Sequence, residues 1–150
     1  VLNDTAKIFA LALASNHLPE QHFQRAFETL KQWGEVEFSR IYLIPCRDGV
    51  GADYWNAACL LKSQYSELEM IQLLKKMEQD SGRIRPSHQI SLDVDLIAVG
   101  NDLAHMQFNP KKMPLAVDVK IPLNDVWASK MFETELNYPE IRPNLEITSN

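Results

Sequence analysis

The chain has 150 residues and a mass of 17.2 kDa, 45% hydrophobic and 23% charged, which suits one folded domain over 1–150 with a single core. A net charge of -5 and a pI near 5.3 exclude a general basic field for nucleic acid. The longest apolar run, Ile8 to Ala14, is too short to cross a bilayer and lacks the basic flank and cleavage pattern of a secretory signal, so a cytoplasmic location away from membranes is expected.

In chain order, Lys7 to Leu13 forms a short apolar strand, which Ser15, Asn16 and Pro19 break before a helix. Phe23, Ala26, Phe27, Leu30 and Trp33 recur at helical spacing, and Gly34 stops them. Val36 to Pro45 alternates as one strand with a wetter end, Cys46 to Asp53 is a glycine-bearing mobile loop, and Tyr54 to Lys62 is strand again. Ser66 with Glu69 makes a capping box for a second helix, whose buried stripe is Met70, Leu73, Leu74 and Met77 and whose end is Gly82. After the loop Arg83 to Gln89 comes a further strand, SLDVDLIAVGND. The order strand, helix, strand, strand, helix, strand predicts an α+β, ferredoxin-like two-layer sandwich (a βαββαβ core) with a C-terminal extension. In that extension Pro110, Pro114 and Pro122 mark loops, Leu123 to Leu136 is expected to hold a last helix with Trp127, Met131 and Phe132 turned inward, and the tail from Asn137 is expected to be extended.

Cys46 and Cys59 fit no metal or redox spacing, and a free buried thiol is expected of each; His17 and His22, five apart, do not share a helix face as a zinc motif requires. The chemistry concentrates elsewhere. Asp93 and Asp95 point to one face of their strand while Leu92, Val94 and Leu96 point to the other. Two adjacent carboxylates repel, so a cation must lie between them or water must reach them. Glu78, Arg83 and Arg85 lie just upstream. Paired acids that hold hard divalent cations, beside arginines that hold phosphate, are what metal-assisted transfer from a nucleotide requires. The plainer alternatives are a solvated strand edge for the acids and a helix-dipole role for the arginines. No Gly-rich Walker sequence is present.

Taken together, LALASN after the first strand, YLIPC and DYWNAACL across the next two, EQDSGRIR, and SLDVDLIAVGN resemble the 6-hydroxymethyl-7,8-dihydropterin pyrophosphokinase family in order and spacing. The likeness covers residues 7 to about 102 and, more faintly, to about 140.

The resemblance implies transfer of a diphosphoryl group from ATP to the pterin hydroxymethyl oxygen, a step of folate biosynthesis that releases AMP. It implies two Mg2+ ions on Asp93 and Asp95, ATP contacts from Glu78, Arg83 and Leu96, and catalytic roles for Arg83, Arg85 and Asp95. Pro45, Tyr54 and Asn56 would bind the pterin, with Phe132 stacked on its other face. ATP and the pterin are the implied partners, and a monomer is expected. The loops 46–53 and 83–90 would act as lids.

The chain departs from the family in several places. The loop before the metal strand reads PSHQIS rather than carrying an aromatic and Gly-Pro-Arg, so Ile90 stands near the place of a phosphate-binding arginine. Ile121, Pro122 and Leu123 stand near a Pro-His segment, Ser129 near another arginine, Ile44 near a threonine, and Ala14 to Asn16 near Gly-Ser-Asn. The departures leave open a homologue that binds nucleotide or pterin without transfer. A third reading is an interaction module like an RNA-binding domain, which the acidic charge and the lack of paired aromatics on adjacent strands disfavour.

Overall fold

The computed structural model describes residues 6–145, and among them the chain is α+β, with a seven-stranded antiparallel sheet and three α-helices. The strands are β1 (Lys7–Ser15), β2 (Glu35–Phe38), β3 (Ile41–Ile44), β4 (Tyr54–Ser63), β5 (Asp93–Gly100), β6 (Gln107–Phe108) and β7 (Glu140–Ile141). The helices are α1 (Pro19–Gln32), α2 (Glu67–Asp80) and α3 (Val117–Val126). β1 lies at the centre between β5 and β4, and β4 pairs further with both β2 and β3.

The expected single strand from Val36 to Pro45 is two strands. Phe38 pairs with Cys59 and Tyr42 with Asn56, so the register slips by one residue across Ser39 and Arg40. Ser39 is buried and sustains the slip: its Oγ accepts from the Ala58 N–H at 2.8 Å while its own N–H donates to the Ala58 carbonyl at 2.8 Å. A bulge of this kind leaves the alternation of residue types almost unmarked.

A second irregularity falls in β5. Opposite the step from Ala10 to Leu11 the partner jumps from Ala98 to Leu96, leaving Ile97 as the extra residue. Before the bulge, Val94 and Leu96 face α1 and α2 and Asp93 and Asp95 face the other side; beyond it Ala98 joins Ile97 on that other side and Val99 packs toward the helices.

Two cores result. Phe9, Leu11, Leu13, Phe23, Leu30, Met70 and Leu74 fill the space between the sheet and α1 and α2. Small residues, Ala10, Ala12, Ala58 and Ala98, form the opposite face of the sheet, on which Leu115, Leu123 and Phe132 pack. The extension therefore adds a third layer to the two expected. Its helix is displaced: Leu123 to Leu136 is not helical throughout. α3 begins at Val117 and contains Pro122, and only a 3-10 turn, Lys130–Phe132, follows. Pro122 has no N–H to give the Asp118 carbonyl, but its ring is fully buried, and packing offsets the lost bond. Phe132 turns inward and Trp127 stacks on Phe108 at 5.4 Å, whereas Met131 is exposed. The capping box of α2 is present: Ser66 Oγ accepts from the Glu69 N–H, and Glu69 Oε1 accepts from the Ser66 N–H at 2.8 Å. The cysteines differ from each other: Cys59 is buried, but Cys46 lies half-exposed in the loop after β3, its thiol donating to Asp48. No helix among the described residues is long and apolar enough to cross a membrane.

Candidate active site

At the start of β5 the strand alternation places Asp93 and Asp95 side by side and half-exposed. The last turn of α2 brings Glu78 to them, since its Oε2 accepts the Val94 N–H at 2.8 Å, a donor at the strand's beginning. One carboxylate oxygen from each of Glu78, Asp93 and Asp95 lies within 4.8 Å of the others, a spacing and oxygen donor set that fit a hard divalent cation. Burial, reinforced by the Asp93 and Asp95 charges, pushes Glu78 up to about 7 against the pull of the Val94 N–H. Burial and then Asp93 also push Asp95 up, with Lys112 opposing them.

Water reaches both half-exposed acids, and a cation also comes to stand beside them from an unexpected place. Lys112, in a 3-10 turn after β6, puts Nζ 3.0 Å from Asp95 Oδ1. Arg85 approaches Glu78 at 3.5 Å. The Nε of Arg83 is buried without a hydrogen-bond partner, and this side chain lies on the wall shared by two cavities.

The larger cavity, about 670 Å3, carries Glu78, Arg83, Arg85, Leu96, Lys111 and Lys112. The smaller, about 280 Å3, carries Tyr54, Asn56, Arg47 and Asp118. Asp93, Asp95 and Arg83 line both, so the acids stand where the two cavities meet. Asn56 is buried and Tyr54 half-buried on the α3 side of β4. Pro45 is exposed and lines neither cavity; its neighbour Cys46 lines the smaller one. Phe132 is 1% exposed, its ring 5.1 Å from that of Trp127, and it too lines neither cavity. A side chain so enclosed packs in the core beneath α3.

The loop that follows α2 is tied to the end of β1. Asn16 Oδ1 accepts the Ile90 N–H at 2.6 Å, its Nδ2 donates to the His88 carbonyl at 2.8 Å, and its own N–H donates to the Ile90 carbonyl at 3.0 Å. Gly51 of the other loop comes so near that a Cβ there would stand 3.3 Å from the His88 carbonyl oxygen. Both glycine-bearing loops thus meet over the acids' end of the sheet. Arg47, Lys112 and Asp118 carry no motif that would have singled them out in the sequence, and Asn16, although it ends the LALASN stretch, was given no site role there. Their positions depend on loop paths and on α3, whose start the prolines disguised.

An antiparallel α+β fold with clustered carboxylates between two cavities, one rich in cations, defines a site suited to metal-assisted group transfer between two bound molecules. A protein-family model, 7,8-dihydro-6-hydroxymethylpterin-pyrophosphokinase (HPPK), matches residues 10–136, most of the chain, and the protein belongs to that family. The family's activity is pyrophosphoryl transfer in folate biosynthesis. A search of curated proteins finds no match.

Proposed function

We propose that this chain is a magnesium-dependent pyrophosphokinase that transfers the diphosphoryl group of ATP to 6-hydroxymethyl-7,8-dihydropterin. The observation that supports it best is the position of Asp93 and Asp95 on the boundary of two cavities, where a donor on one side and an acceptor on the other would meet. The strand order β5-β1-β4, with β2 and β3 beyond, is compatible with a ferredoxin-like core.

ATP would take the larger cavity. Its phosphates would meet Arg83 and Arg85, with Lys111 and Lys112 adding positive charge, and Leu96 would supply an apolar contact. Asp93 and Asp95, with Glu78 beside them, would hold two Mg2+ ions, which supply neutralisation of the phosphate oxygens. The pterin would take the smaller cavity, with its edge bonded by Asn56 and its ring against Tyr54. The hydroxymethyl oxygen then forms a bond to the β-phosphorus as the bond to AMP breaks. Fixed position and matched charge carry most of such a transfer.

One observation favours a second reading, a homologue that binds without transfer. Ile90, near the place where relatives carry a phosphate-binding arginine, is 8% exposed and apolar. A missing charge-assisted contact can cost about 2 to 4 kcal/mol in the transition state. Lys111 and Lys112 supply cations from the opposite wall, which favours transfer.

AMP release from ATP with Mg2+ and the pterin decides between them. The unaltered protein is expected to release AMP only when the pterin is present, and Asp95→Ala to lower the rate by about a hundredfold or more. A folded, ATP-binding protein that releases no more AMP than Asp95→Ala would instead support binding without transfer.

A further inference from the structure

The smaller cavity has a floor and one aromatic side chain, but no second aromatic face. Ala12 and Ala14 of β1 and Asn56 of β4 line it from the side of the sheet that carries α3, and Tyr54 stands two residues before Asn56 on the same strand face. Phe132 is enclosed elsewhere. Arg47, from the loop between β3 and β4, lines the cavity instead, and its plane is fixed: Nε and Nη2 donate to the two oxygens of Asp118 at 2.8 and 2.7 Å. Asp118 belongs to the first turn of α3, and its side chain is 16% exposed, so the acceptor is rooted in packed structure. Fork-to-fork pairing sets the orientation of a guanidinium as well as its charge.

We infer that Arg47, clamped by Asp118, forms the second face of the acceptor site, its guanidinium plane stacking on the flat bicyclic ring that Tyr54 and Asn56 contact. The inference rests on the pterin reading above. A guanidinium is planar, weakly hydrated and stacks on aromatic rings, three properties that a lysine ammonium lacks. Arg47 also lies in the field of Asp93 and Asp95, so a stacked guanidinium keeps positive charge beside the place where the diphosphoryl group crosses. Asp118 acts as a positioning residue. Were the pair only a surface link between loop and helix, it would add little to stability and nothing to the ligand.

The test titrates 6-hydroxymethylpterin, followed by its own fluorescence, into the full chain with Mg2+ and a non-hydrolysable ATP analogue. Arg47→Ala and Arg47→Lys are each expected to raise its Kd about tenfold. Asp118→Asn, which leaves the arginine but loosens its plane, is expected to raise it about threefold, and melting temperatures of all three variants to stay close to that of the unaltered protein. Equal affinity in Arg47→Ala, or full affinity in Arg47→Lys, overturns the stacking role while leaving the pterin as substrate. If the unaltered protein binds no pterin, the substrate reading fails and the inference fails with it.

Discussion

Glu78 joins the end of a helix to the start of a strand and also completes the acidic trio, and these tasks conflict electrostatically. Its carboxyl rises from an ordinary value of 4.5 to about 7 because burial and two like charges oppose ionisation. A carboxyl raised by folding favours the folded state in its protonated form. That stability is fully present below the unfolded value and is lost as pH rises through about 7. Thermal melts of the metal-free protein should therefore fall between about pH 5 and pH 8, and Glu78→Gln should flatten that decline. The same proton competes with a bound cation. Calorimetric titration should show Mg2+ binding tighten from pH 6 to pH 8 in the unaltered protein, and tighten less in Glu78→Gln.

Among the elements, the loop from Arg83 to Ser91 depends on Asn16, which bonds it at three points from the end of β1. Asn16→Ala removes two of these, the side-chain bonds, and should speed hydrogen exchange at the Ile90 amide by about tenfold while raising the KM for ATP. Thermal stability should change little, because the loop contributes few residues to either core. The helices α1 and α2 were legible in the sequence because apolar residues recur at helical spacing and because Ser66 and Glu69 form a capping box whose chemistry is local. The acids of β5 were legible for a similar reason: two charges inside an aliphatic run have few structural explanations. The break at Ser39 was not legible, since its cause is a hydrogen bond to a residue nineteen positions away. Nor was α3, whose Pro122 has the local signature of a breaker and is held in a helix by burial. Arg47 and Asp118 escaped notice for the same reason, being brought together by the placement of α3.

Across the whole molecule, the sheet separates two cores of different character, and the candidate site opens at one end of the side that α3 covers. Phe132 belongs to that second core, 6.3 Å from Phe108 and 5.1 Å from Trp127 by ring centres. Phe132→Ala should destabilise the protein by about 3 to 5 kcal/mol in denaturant titrations. Where the variant remains folded, its affinity for the pterin should match that of the unaltered chain. A selective loss of pterin affinity without loss of stability would return the ring to the binding site.

The extra residue at Ile97 gives β5 two reading frames. Ahead of it, the frame puts acids on the α3 side and aliphatics under α1 and α2; behind it, the frame puts Ala98 on the α3 side and Val99 under the helices. With Ile97 present no even pleat satisfies both halves, because a strand running through it without a bulge would either turn Asp93 and Asp95 into the helical core or turn Val99 away from it. The bulge thus absorbs Ile97 and keeps the wet, charged half of the strand in phase with the dry, packed half. Pulling that bulge straight with Ile97 kept would turn one half of the strand over, whereas deleting Ile97 would leave Leu96 and Ala98 opposite Leu11 and Ala10 in an ordinary ladder with every face kept.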